Sequence, residues 1–152
     1  MMRRRHVKTS WLLALAVLAA CGDDPVAVAD PALAPFVGDW DATALTITSV
    51  ANPETVVDLP AQGATFSINV QPSGAYTAVL IFARIAQTEL GVIEVQGSTI
   101  TLRRNFPTSQ VNASTYEFRG PSVLVMDGDT EFDFNLDGTP EAGLAHFELA
   151  KR

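Results

Sequence analysis

The sequence predicts an all-β domain, an antiparallel up-and-down meander of about eight to ten strands closing as a barrel, preceded by a signal-peptide helix. Three observations carry that prediction. Beyond Gly38 the apolar period is two, as in "ATFSINVQ", where Phe66, Ile68 and Val70 oppose Thr65, Ser67 and Asn69. Turn chemistry recurs at short intervals, at Gln71-Pro72-Ser73-Gly74, Gly97-Ser98, Gly120-Pro121 and Asp137-Gly138-Thr139-Pro140. After the leader, no stretch repeats apolar residues at helical spacing.

The elements follow in order. A helical turn at Pro31 to Phe36 is placed to plug one end of the fold, ahead of a first strand from Asp39 to Val50 and a short extended piece from Thr55 to Leu59. "ATFSINVQ" and "AYTAVLIFARI" form one hairpin, "ELGVIEVQ" and "TITLRR" a second, "STYEFRG" and "SVLVMDG" a third, and "TEFDFNL" with "AGLAHFELAK" a fourth. Alternation turns Trp40, Ala42, Ala44, Phe66, Ile68 and Val70 inward. Leu102, Tyr116, Phe118, Phe132, Phe134, Phe147 and Leu149 join them from the later strands. Two packed sheets, a β-sandwich, would satisfy the same pattern; closure has the advantage of leaving no exposed edge.

The N-terminus carries an address. Arg3, Arg4, Arg5 and Lys8 precede an apolar run from Trp11 to Ala20, the order of a secretory signal over residues 1–20. The run is short of the roughly 20 apolar residues that a spanning helix needs. Its end, Leu18-Ala19-Ala20-Cys21, resembles the bacterial lipobox, which implies cleavage between Ala20 and Cys21 and a lipid on the Cys21 thiol. Several acyl chains hold a protein to a bilayer where one is marginal. Gly22, rather than Asp, follows the cysteine, which by the sorting rule of enteric lipoproteins implies the outer membrane. Residues 21–35, rich in Ala, Pro and Asp, read as a flexible tether, and residues 36–152 as one barrel domain.

Charge narrows the partners. The whole chain has 10 Lys and Arg against 17 Asp and Glu, and since four of the cations and none of the acids precede Cys21, the remainder carries 6 minus 17, or −11. Such a surface repels phosphate backbones, so nucleic acid is not an expected partner. Arg103 and Arg104 form the one adjacent cationic pair before the terminus and read as a solvated strand face. With a single cysteine no internal disulfide can form, and stability must come from the core.

Gly38-Asp39-Trp40 opens the first strand, and this Gly-x-Trp resembles the start of lipocalins and fatty-acid-binding proteins. The resemblance implies a barrel whose base is closed by Gly38 and Trp40, with a cation from the chain's end, Arg152 or Lys151, over the indole. It also implies a small apolar ligand or a packing role toward an envelope partner. Whether the interior is hollow or filled is left open, because small residues and bulky rings both face inward.

Little in the sequence suggests catalysis. His146 is the sole histidine beyond the leader, it falls on the outward face of the last strand, and no Gly-x-Ser-x-Gly accompanies it. No catalytic residue and no enzyme activity are expected. Asp133, Asn135, Asp137 and Gly138 match the first half of a calcium loop, where alternate oxygens surround a hard cation. Leu144 stands where that loop requires a bidentate Glu, so ordinary turn chemistry is the favoured reading and calcium the lesser one. The sequence thus leads to a lipid-anchored, non-enzymatic envelope barrel that binds a small apolar ligand or an envelope partner, with a structural or adhesion module presenting an acidic, cation-attracting face as the alternative.

Overall fold

The computed structural model describes residues 30–152. The signal segment, Ala20, Cys21 and the tether up to residue 29 lie outside the described residues. Nine strands form one antiparallel sheet: β1 (Gly38–Ser49), β2 (Val56–Asp58), β3 (Thr65–Val70), β4 (Ala75–Phe82), β5 (Ile85–Gln96), β6 (Thr99–Phe106), β7 (Gln110–Phe118), β8 (Val123–Phe132) and β9 (Glu141–Lys151). Consecutive strands pair from β3 to β9, β1 pairs with β3, and β9 returns to β1 from Trp40↔Lys151 to Ser49↔Gly143. The result is a closed eight-stranded up-and-down barrel with β2 as an extra strand on the upper half of β1, which rules out the sandwich.

The turn expected at Pro31 to Phe36 forms a 3-10 helix, capped by Asp30, whose carboxylate accepts a bond from the Ala32 amide at 2.9 Å. It lies across one end of the barrel, with Leu33 and Phe36 both buried. Folded structure therefore begins before Phe36. Trp40 sits above this plug with no exposed surface, and its Nε1–H donates to the Phe36 carbonyl at 2.7 Å.

Gly38 explains itself by geometry. Its φ of 128° lies where side chains are strained, and a Cβ there would come within 2.9 Å of the Lys151 Cε. The missing side chain lets the Lys151 stem cross the strand, bringing Nζ 5.1 Å from the Trp40 ring centre. The cation over the indole is thus Lys151. Arg152 instead reaches Asp41, with Nε 2.5 Å from Oδ2, and its amide donates to the Asp39 carbonyl at 3.0 Å. The guanidinium holds the Asp41 carboxyl below its ordinary range, although both groups are exposed and the pair adds little stability.

Several expectations need correction. Ala44 does not face the core: a bulge between Ala42 and Ala44 leaves Thr43 unpaired and exchanges the faces, so that Leu45 and Ile47 point inward instead. The strands read separately at "SVLVMDG" and "TEFDFNL" are one, β8, running through Gly128. That glycine does not turn the chain; a Cβ there would collide with the Ser114 side chain, so it is a close approach between strands. Phe134 lies beyond β8 in the loop, yet its ring still packs on Phe132 at 5.2 Å. Between β4 and β5 the chain reverses at Ala83 and Arg84 with φ of 50° and 67°, a tight turn that no glycine announces.

Truncation at the base tests this closure. Trp40→Ala should cost about 3–5 kcal/mol, the usual loss for a fully buried large ring, read as a fall in the denaturant midpoint. Gly38→Ala should lower stability by forcing Lys151 off the indole, and an unchanged midpoint in both variants would contradict the plug.

Candidate ligand-binding site

The barrel's two ends hold inner side chains of different size. At the base the Phe36 ring meets Tyr116 at 4.9 Å and Phe118 at 5.0 Å, and Trp40 meets Phe118 at 6.2 Å. Only about 10 Å³ of space remains there. At the other end Ala78, Ser114, Gly128 and Ala145 occupy inward positions, too small to meet across the lumen. They leave a cup of about 500 Å³, open at the mouth. That is the size range of small-molecule sites, roughly 300–1,000 Å³.

The cup has two unlike walls. One is apolar, from Leu45 and Ile47 on β1, Phe66 on β3, Leu80 and Phe82 on β4, and Phe147 on β9. The other is polar, from Gln87 and Glu89 on β5, Arg104 on β6, and Gln110, Asn112 and Ser114 on β7. Register makes these inward residues: Gln87 stands opposite Leu80, Glu89 opposite Ala78, Gln110 opposite Arg104 and Asn112 opposite Leu102. Gln87, Gln110 and Asn112 are nevertheless exposed, which means water enters the cup along this wall.

Arg104 organises the polar wall. Its side chain is 18% exposed, and Nη1 lies 2.6 Å from Glu89 Oε1. Nε donates to the Thr108 carbonyl at 2.9 Å, and Nη2 donates to Thr108 Oγ1 and Gln110 Oε1. Gln110 in turn donates from Nε2 to Asn112 Oδ1 at 3.0 Å. A planar guanidinium with donors on three sides suits this bridging of adjacent strands. The adjacent cations Arg103 and Arg104, read together as a solvated face, are split by the strand period: Arg103 points outward to Glu94 at 2.7 Å, and Arg104 points into the cup.

Below this wall lies the boundary between cup and base. Tyr76, Gly91 and Arg104 form one row across β4, β5 and β6, and a Cβ on Gly91 would lie 2.7 Å from the Tyr76 ring. The ring thus rests on bare backbone. The Tyr76 hydroxyl is buried with no hydrogen-bond partner among the described residues. Burial, then the negative charge of Glu89, pushes its pKa up to about 12 despite the opposing charge of Arg104, so it remains a protonated donor.

The acidic candidates lie apart from the polar wall, in the loop between β8 and β9. Asp133, Asp137 and Glu141 place carboxylate oxygens within 4.8 Å of one another. Those oxygens serve the loop itself. Asp133 accepts from the amides of Asp137 at 3.1 Å and Gly138 at 2.8 Å, Asn135 accepts from Asp137 at 2.9 Å, and Asp137 accepts from Thr139 at 2.8 Å. Glu141 takes the Phe134 amide at 2.9 Å and the Asn135 side-chain amide at 2.7 Å. These bonds hold Asp137 below the ordinary carboxylate range, chiefly through the Thr139 amide. Leu144 is half exposed on the outer face of β9 and offers no ligand atom. His146, also on β9, lies with Nδ1 2.7 Å from Asp127 on the outer surface, away from the cup.

The chain matches no family model, no curated protein and no solved structure with which it was compared.

The loop gives a direct test. Asp133→Ala removes the acceptor of two backbone amides and should lower the melting temperature in sodium and calcium alike. Millimolar calcium should raise the wild-type melting temperature no further than sodium at matched ionic strength, since both only screen the crowded acids.

Proposed function

We propose that this is the binding domain of a lipid-anchored envelope lipoprotein, non-enzymatic, which takes a small, mainly apolar molecule into the mouth of its barrel. The observation that carries the reading is the cup of about 500 Å³ with a continuous apolar wall. A filled interior would have favoured a purely structural module, and the base of this same barrel shows how tightly the fold packs where its side chains are large. The anchor rests on the order of basic start, apolar run and Leu18-Ala19-Ala20-Cys21, and the outer membrane on Gly22. Chain direction agrees with it: the described chain enters at Asp30, at the plugged base, and the mouth opens at the opposite end.

Two measurements test this reading. Intact mass of the mature protein should show a lipidated Cys21, and Cys21→Ser should accumulate as an unprocessed or soluble form; an unmodified mature cysteine would refute the anchor. Nile red, a neutral apolar dye, should give a saturable fluorescence gain with the full chain. Leu80→Trp, which fills the cup from its apolar wall, should abolish that gain while leaving the melting transition cooperative. An equal gain in this variant would place the dye elsewhere.

A further inference from the structure

Resting on the reading of the cup as a binding site, we infer that its ligand is an uncharged amphiphile, with an apolar body against β1, β3, β4 and β9 and a hydroxyl- or amide-bearing end against β5 to β7. Neither a plain hydrocarbon nor a fatty-acid carboxylate suits the same walls.

A hydrocarbon large enough to fill the cup would cover Gln87, Asn112 and Ser114, and each polar group buried without a partner costs about 1–3 kcal/mol. Those three side chains keep unused hydrogen-bonding capacity: Asn112 commits only its oxygen, to Gln110, and neither Gln87 nor Ser114 makes a side-chain hydrogen bond to another described residue. A carboxylate would look to Arg104, the one cation lining the cup among the described residues. Of the five donors on a guanidinium, Arg104 has committed four, to Glu89, to Thr108 twice and to Gln110. Its charge is matched by Glu89 at 2.6 Å, so an anion would have to displace that partner and leave a second carboxylate beside itself.

A cationic end fares little better. Glu89 is already neutralised, and the other acids along the cup, Asp129 and Glu131, pair with Leu144 and Ala142 on the outward face and are exposed, where their pull is screened. What the polar wall offers without rearrangement is neutral donors and acceptors on β5 and β7, Gln87, Asn112 and Ser114, with Glu89 contributing a second carboxylate oxygen as acceptor. Hydroxyl, ester and amide groups match these.

Three probes with the same twelve-carbon chain separate the cases: monododecanoylglycerol, dodecanoate and dodecyltrimethylammonium, each titrated below its aggregation threshold into the full chain by calorimetry. The glyceride should bind tightest. Asn112→Leu, at an exposed position, should weaken it by about tenfold, the loss of one well-placed hydrogen bond, while the melting transition stays cooperative. Dodecanoate or the ammonium binding as tightly as the glyceride, or a glyceride affinity indifferent to Asn112→Leu, would overturn the inference and leave the cup standing. Nile red and all three probes failing together would overturn the cup itself.

Discussion

Eight strands joined edge to edge fix a circumference, and the remaining features of the domain follow from it. Once β9 has paired with β1, the lumen has a width that side chains can just fill. Whether it is solid or hollow at a given height then depends only on the residues turned inward at that height. At the base they are Phe36, Trp40, Tyr116 and Phe118, whose rings close the lumen. At the mouth, three of the inward positions are Ala78, Gly128 and Ala145, and no ring spans the gap. The same backbone frame thus produces a plug and a cup without any change in strand number.

The sequence announced the parts of this fold that depend on dry faces. Trp40, Phe66, Ile68, Val70 and Leu149 alternate with polar neighbours because one side of each strand meets the core, and period two is legible wherever that contrast exists. It failed where the contrast is reversed. "QVNAS", the upper half of β7, alternates with its faces exchanged: its inner residues Gln110, Asn112 and Ser114 are polar because they face a wet cup rather than a core, while Val111 and Ala113 point outward. The residues of the polar wall are therefore the ones that apolar alternation could not find. The bulge at Thr43 is a different kind of failure: one inserted residue reverses every inward assignment after it, and "DATALTI" carries no glycine or proline to mark the place. Gly128 misled in the opposite direction, since a residue suited to turns is here required by the nearness of Ser114.

The polar wall raises the question of why a charged pair stands inside a barrel. Arg104 and Glu89 are only partly buried, and water reaches the wall between them and the mouth, so the desolvation cost stays well below that of a closed core. Their contribution is to geometry. Arg104 joins Glu89 on β5 to Thr108 in the turn after β6 and to Gln110 at the start of β7, across the strand that bears it. A bulge between Leu90 and Gly91 breaks the regular ladder at the same height, and these side-chain bonds tie the strands together where backbone pairing is disturbed. The pair thus shapes the wall more than it attracts charge.

Direction along the barrel connects these features. The strands run so that the plug, Gly38, Lys151 and the incoming chain share the base, while the turn at Ala83-Arg84, the segment after Phe106 and the loop from Asp133 to Pro140 share the mouth. Loops at one end of a barrel are free to differ without disturbing its closure. Here the base is held by Trp40 under Lys151 and by the Phe36 carbonyl, contacts that an opening would break. Among the described residues, a molecule entering the cup must pass the mouth, because the other end is packed with rings.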